Sequence, residues 1–408
     1  MTGMSFGEFV GSAGELVVQP RMGFGDPADM LDGLIATKKA NATTVGTVTL
    51  DSYTRVRDDA AARRALSERL PLNGFPIVAH GPSVTRDMIS PVGSADFPVQ
   101  VRHGSARPQD IFRTLVAAGL HATEGGPISY CLPYSRTPLR ESLRHWQESC
   151  AILAETDIPA HLETFGGCML GQLCPPSMLI AVSALEAMFF AQHGLRSVSL
   201  SYAQQTNPAQ DLEAVLALRR LAARYLPSVD WHIVIYTYMG LYPETERGAL
   251  ALQRDAASLA VWSGASRLIV KTAAEAYRIP TVTQNVVALE TAAAAARAAG
   301  SPPPVADTGL YAEARALVEA VLSLHPDIGQ AMVQAFSCGY LDIPYCLHPD
   351  NAGKTRCHIS ADGRLVWSRI GSLPIGDVAE LDRRNRLTSD GLLTALSYVR
   401  RTYDGETP

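Results

Sequence analysis

The chain has 408 residues, enough for two or three average domains or for a single α/β barrel with additions. Apolar residues make up 47% and charged residues 18%, which supports a large core and excludes disorder as the main state. A net charge of −5 argues against nucleic acid or an anionic membrane as the principal partner. The longest apolar stretch, Met178 to Phe190, has 13 residues and contains Glu186, so it is too short and too polar to span a bilayer. The first 18 residues carry no Lys or Arg, and no signal peptide is expected. The 7 cysteines are scattered, with no CxxC pair, and read as reduced thiols of a cytoplasmic protein.

In chain order, short β-type runs alternate with longer helical patterns. Strand Glu15 to Val18 precedes helix Pro27 to Lys38, which opens with Asp26 as a cap and Pro27 in the first turn. Strand Thr44 to Thr49 precedes helix Asp58 to Leu70. Candidate strands Pro76 to Val78 and Val99 to Val101 precede helix Pro108 to Ala118. Strand Ala122 to Glu124 leads to helix Leu139 to Glu155, and strand His161 to Glu163 to helix Pro176 to His193. Strand Ser197 to Ser201 leads to helix Ala209 to Tyr225, and strand Asp230 to Ile235 to helix Glu244 to Ser263. Strand Arg267 to Val270 closes the series. Repeated βα units imply a parallel sheet, and eight or more favour a closed (β/α)8 barrel of TIM type. Nine strands are one too many, so one is spurious or lies outside the barrel. The Gly300 to Pro304 stretch reads as a break. It divides a barrel over residues 1–300 from a C-terminal helical and β extension over residues 301–408. That extension should hold a helix near Leu310 to His325 and a β-hairpin turning at Ser360 to Gly363.

The informative residues follow the strands. The first run ends at Arg21, the second at Arg55, and Val99 to Val101 at Arg102-His103-Gly104. His121 to Thr123 ends at Glu124-Gly125-Gly126, Leu162 at Glu163, and Leu268 to Val270 at Lys271. In a parallel barrel these ends share one rim, where such folds keep their chemistry. Charges gathered there are costly unless they are paired or hold a ligand. Guanidinium groups bind carboxylates at two points, so three of them suit a ligand with two carboxylates, and a nearby glutamate suits an ammonium. The residues alone therefore suggest an enzyme acting on a small amino-dicarboxylate. No dinucleotide fingerprint, phosphate loop, HExxH or zinc-type Cys/His spacing is present, and no metal ligands are expected.

Several motifs carry a resemblance. They are Gln19-Pro20-Arg21, Asp51-Ser52-Tyr53-Thr54-Arg55, Val101-Arg102-His103-Gly104, and the run from Glu124 to Tyr134. Leu72 to Pro76, Pro175-Pro176-Ser177, Ile269 to Thr272 and Asn351 to Lys354 add to it. From Val17 to about Pro374 the sequence resembles the large (epsilon) subunit of glutamate mutase, also called methylaspartate mutase. The resemblance implies a (β/α)8 barrel that interconverts L-glutamate and L-threo-3-methylaspartate by radical carbon-skeleton rearrangement. It implies adenosylcobalamin as cofactor, shared with a small partner subunit in a heterotetramer of two large and two small subunits. It places the carboxylate-binding arginines at Arg21, Arg55 and Arg102, with His103 beside them. Glu124 would contact the substrate amino group and act in catalysis, and Tyr130 and Tyr134 would line the substrate. Gly23, Asn73, Pro133, Tyr242, Lys271 and Glu275 would face the cofactor.

The sequence departs from the family at several points. His-Gln-Trp-Met-Gly in the family reads Tyr236-Thr237-Tyr238-Met239-Gly240 here, so a site histidine is replaced by Tyr236. Tyr242 stands for Phe, Ile279 for Met and Cys131 for Asn, and Glu-Pro-Phe-Gly-Pro reads Glu163 to Gly167. The cobalamin signature DxHxxG is missing, because Asp230-Trp231-His232 continues into a strand. The small partner is expected to carry it. Two alternatives stand beside this reading. One is a mutase for a related amino-dicarboxylate in a biosynthetic pathway. The other is a catalytically silent barrel used as a binding module.

Overall fold

The computed structural model describes residues 4–168, 173–382 and 388–405. Eight parallel strands form one sheet: β1 (Val17–Pro20), β2 (Gly46–Thr49), β3 (Val99–Arg102), β4 (Ala122–Gly125), β5 (His161–Thr164), β6 (Ser197–Ala203), β7 (Asp230–Tyr236) and β8 (Arg267–Val270). Consecutive strands are neighbours, and β8 returns to β1 with Arg267 opposite Val17. A bridge between Val18 and Thr44 spans the remaining seam. Helical segments follow every strand, so the fold is the expected TIM-type barrel. Among the described residues no helix is long and apolar enough to cross a membrane.

The surplus strand is Pro76 to Val78. Those residues enter the helix Ile77–Ile89, which is interrupted at Gly81 before Pro82. The nearby extended pairing is a lone bridge from Leu50 to Phe75. A three-residue apolar run looks the same at the buried start of a helix as in a strand, so periodicity could not separate them. Beyond the barrel, β9 (Arg356–Ile359) and β10 (Leu365–Arg369) form the expected antiparallel hairpin. The helix Leu310–Leu322 ties it to the barrel. Glu313 on that helix accepts hydrogen bonds from Ser177 Oγ at 2.6 Å and from the Trp367 indole at 3.2 Å.

Barrels of this type usually fill their interior with branched aliphatic side chains. This one carries a polar layer. Gln19 Nε2 donates to Thr47 Oγ1 and to Gln100 Oε1, each at 2.8 Å. Gln100 Nε2 and Ser199 Oγ both donate to Glu163 Oε2 at 3.2 Å. Arg267 forms an ion pair with Glu163, both side chains wholly buried, and also donates to Gln19. The helix Phe6–Ser12 closes the floor, with the Phe6 ring 5.0 Å from the Arg267 guanidinium and stacked on His161. Glu163 therefore belongs to the barrel interior rather than to the open rim where its place at a strand end had put it. The pair makes a direct prediction. Arg267→Met strands a buried carboxylate and should cost about 3–5 kcal/mol, read as a lowered urea midpoint. An unchanged midpoint would show that the pair does not hold the interior.

Candidate active site

Side chains two apart on a strand share a face, so the residues two positions above the polar layer also face inward. Gln100 leads to Arg102 and Gln19 to Arg21, while β7 delivers Tyr236 from the opposite side. The centre of the mouth is an ion pair: Arg102 Nε donates to Glu124 Oε2 at 2.7 Å, with side chains 4% and 2% exposed. Arg102 Nη2 also donates to the Tyr236 hydroxyl at 3.3 Å. Side-on pairing through Nε leaves Nη1 without a hydrogen-bond partner among the described residues. Glu124 receives two phenols: Tyr130 donates to Oε1, and the Tyr236 hydroxyl lies 2.8 Å from Oε2. Burial would weaken the Arg102 cation, but Glu124 reverses this and holds its pKa well above the usual arginine value. Burial, and then Glu124, pushes the Tyr130 phenol well up, so it stays a donor.

The turn carrying Tyr130 is held from behind by a residue that sequence reading set aside. Glu186, buried on the helix Pro176–Gln192, accepts from the backbone N–H of Ile128 at 3.1 Å and of Ser129 at 2.9 Å. It also accepts from Ser129 Oγ at 3.0 Å. Burial pushes its carboxyl up to about 7 even against these donors. A side chain at position 126 would enter that carboxylate, so Gly126 lets the turn approach. The one signal in the sequence was a lone glutamate in an otherwise apolar stretch.

Arg55 lies on the short helix Ser52–Val56, set by two local contacts. Asp51 caps the first turn through Tyr53 N at 2.8 Å and Thr54 N at 3.1 Å. Asn73 Oδ1 accepts from Ser52 N at 2.9 Å, so Asn73 serves this helix directly. Arg55 pairs with no carboxylate among the described residues, and its Nε donates to the Asp51 carbonyl at 3.3 Å. His103 beside it is pushed down to about 3 by burial, Arg55 and Arg102. Its Nδ1 accepts from Ser105 N at 3.2 Å, which leaves the proton on Nε2. The Glu124 backbone opposes the downward shift, and the buried Nε2 makes no hydrogen bond of good geometry among the described residues.

Arg21 is not free. It pairs with Glu275 at 2.9 Å, and Lys271 reaches the same carboxylate oxygen at 3.5 Å. Burial would raise the Glu275 pKa, but Arg21 and Lys271 outweigh it and lower the value. Lys271 is pushed down to about 8 by burial, with Arg21 adding to the effect and Glu275 opposing it. Its ammonium donates to the Tyr238 carbonyl at 3.1 Å and lies 4.7 Å from the Tyr242 ring centre. Gly23 packs so close to β2 that a Cβ would meet the Thr49 carbonyl oxygen. Pro133 sits in the turn between Tyr130 and Tyr134, whose rings meet edge-on at 5.9 Å. Tyr134 is about half exposed, and Arg21, Arg55 and Glu124 all reach it electrostatically.

The mouth thus gathers Arg21, Arg55, Arg102, His103, Glu124, Tyr130 and Tyr134. Lys271, Glu275 and Tyr242 lie on the adjoining β7–β8 side. Sequence reading had noted Tyr236 only as a substitution and missed its contact with Glu124. Two buried polar atoms around the mouth have no hydrogen-bond partner of good geometry among the described residues, Thr49 Oγ1 and His103 Nε2, and the hydroxyls of Tyr238 and Tyr242, which pack with Leu252 and Val399, are likewise without one. Unpaired buried donors of this kind suit a polar ligand.

The sequence is similar to known proteins over most of its length. The family described as methylaspartate mutase E chain matches residues 6–393. A glutamate mutase epsilon subunit of Halobacterium salinarum is 32% identical, covering 94% of this chain and 83% of its own. One from Desulfitobacterium hafniense is 31% identical over 84% of this chain and 75% of its own. One from Escherichia coli O157:H7 is 30% identical over 80% and 72%. With a match over nearly the whole length, the chain belongs to the methylaspartate mutase E chain family.

Proposed function

We propose that this chain is the catalytic subunit of a mutase that interconverts L-glutamate and L-threo-3-methylaspartate in the cytoplasm. The observation that carries the reading is the buried Arg102–Glu124–Tyr130 cluster with two further arginines at the same mouth. Arg55 and the Nη1 side of Arg102 would each hold one substrate carboxylate. Arg21 would join by exchanging Glu275 for the ligand. Glu124 would take the ammonium, orient it and accept a proton from it as charge shifts on the adjacent carbon. The buried aromatic wall of Tyr130, Phe165 and Trp146 would exclude water from reactive species.

The cofactor under this reading is adenosylcobalamin, which supplies a carbon-centred radical for hydrogen abstraction when bound. The donor set fits its polar parts. Lys271 and Glu275 would hold ribose hydroxyls, the unpaired Tyr242 hydroxyl would face the same side, and Gly23, Asn73 and Pro133 would shape the approach. A small partner subunit with DxHxxG would supply an imidazole to hold the cofactor, in a heterotetramer of two large and two small subunits. Exposed Tyr53, Val56, Tyr134, Leu241, Tyr277 and Ile279 support a partner on this face, because all lie in segments that follow strand C-termini.

Three outcomes test the proposal. The isolated chain should show no mutase activity, and a small cobalamin-binding subunit should restore it with L-glutamate and cofactor. Robust turnover by the chain alone would refute the shared site. Arg102→Lys keeps charge but loses the planar contact, so KM for glutamate should rise by the equivalent of about 1.5–3 kcal/mol. Glu124→Gln keeps the shape but removes the charge and the base. Its kcat should fall about 10²-fold or more while KM rises far less. A lowered melting temperature with kcat nearly intact would assign Glu124 to structure alone.

A further inference from the structure

Tyr236 is where the barrel interior touches Glu124. It ends β7 and is wholly buried. Its hydroxyl oxygen lies 2.8 Å from Glu124 Oε2, against Glu163 Oε1, and 3.3 Å from Arg102 Nη2. Phe165 meets the ring edge-on at 5.5 Å, and the Arg102 guanidinium sits 5.1 Å from the ring centre. The ring is therefore fixed, and the O–H torsion is the freedom left. A phenol has one proton. Two carboxylates stand within reach of it, and it can donate to one at a time.

We propose that Tyr236 is a positioning residue that sets the basicity of Glu124 by turning its single phenolic proton between Glu124 and Glu163. Turned toward Glu124, the proton stabilises the carboxylate as an anion. Turned toward Glu163, it leaves Glu124 one donor short and a better proton acceptor. Once protonated, Glu124 can donate to the phenol oxygen, so the hydrogen-bonded row stays complete. No covalent bond of Tyr236 breaks: the proton gained by Glu124 comes from the ligand ammonium, and the phenol keeps its own. This role rests on the reading of Glu124 as the ammonium partner.

The surroundings favour a switch rather than a second charge. Arg102 from β3 and Arg267 from β8 are permanent cations that flank the two carboxylates. Tyr130 donates to the other oxygen of Glu124, and His103, pushed down by burial and neutral, and Tyr134 face it from the following turns. Cys168, after β5, is pushed well up by burial and stays neutral. Burial likewise pushes the Tyr236 phenol well up and keeps it protonated. A histidine, which the family resemblance implies at this position, could gain a proton, whereas a phenol in this setting cannot.

The test is an isotope-edited infrared titration of the carboxyl band in the full chain, with Glu124→Gln assigning the Glu124 component. Tyr236→Phe should move Glu124 protonation to higher pH by about one to two units, a tenfold to hundredfold change in acidity. Tyr236→His, which keeps a donor, should recover most of that shift. A ring-fluorinated tyrosine at position 236 is nearly isosteric and a stronger donor, and should move the band to lower pH. It carries the test if the phenylalanine variant fails to fold. A band that titrates at the wild-type pH in these variants overturns the proposal. With the partner subunit, cofactor and glutamate, the acidic limb of kcat against pH should move with the band while KM changes little. A uniform fall in kcat with an unmoved profile also overturns it. A wild-type complex without mutase activity, beside an intact band shift, refutes the functional reading and leaves the switch standing.

Discussion

A carboxylate in a dry barrel has to be surrounded by donors, and the mouth of this protein is organised around that demand. Glu163 lies deep, paired with Arg267 and hydrogen-bonded by Gln100 and Ser199. Glu124 lies one layer higher, paired with Arg102 and hydrogen-bonded by Tyr130. Tyr236 joins the two layers through one hydroxyl. Neither anion would be tolerable alone, because taking a charge out of water costs more than a single hydrogen bond returns. The polar interior is thus the foundation of the charged mouth.

The same logic orders the rest of the site by how firmly each cation is held. Arg102 is buried and doubly bonded, so it is a fixed post. Arg21 is about a quarter exposed and shares Glu275 with Lys271, so a ligand carboxylate can compete for it. Arg55 has no acidic partner among the described residues and bonds through Nε to the Asp51 carbonyl alone. The neutral His103 lies beside it. An anionic ligand would meet one open arginine, one fixed arginine with a free side, and one that exchanges partners.

Rigidity comes from outside the barrel. The Glu186 carboxylate pins the turn that carries Tyr130, and Asp51 and Asn73 pin the short helix that carries Arg55. These supports lie one shell behind the residues that would meet substrate, and a site held within a fraction of an ångström depends on them. The hairpin and the helix Leu310–Leu322 brace the outer helices through Glu313.

Much of this was legible from local pattern. The alternation of βα units implied the barrel, and polar residues just past each strand implied the rim, because both follow from periodicities of the backbone itself. Motif order from Val17 onward pointed to the family, and the family match agrees. What the chain could not express locally was partnership across the barrel. The Pro76 to Val78 run looked extended until its neighbours were known. Glu163 looked like a rim residue until Arg267, 104 positions later in the chain, was found beneath it. Arg21 looked free until Glu275 closed on it, and Tyr236 looked like a lost histidine until its hydroxyl met two carboxylates. Which charges are paired and which remain open depends on contacts between residues of different βα units, from 22 to 254 positions apart, and only the closed barrel brings those together.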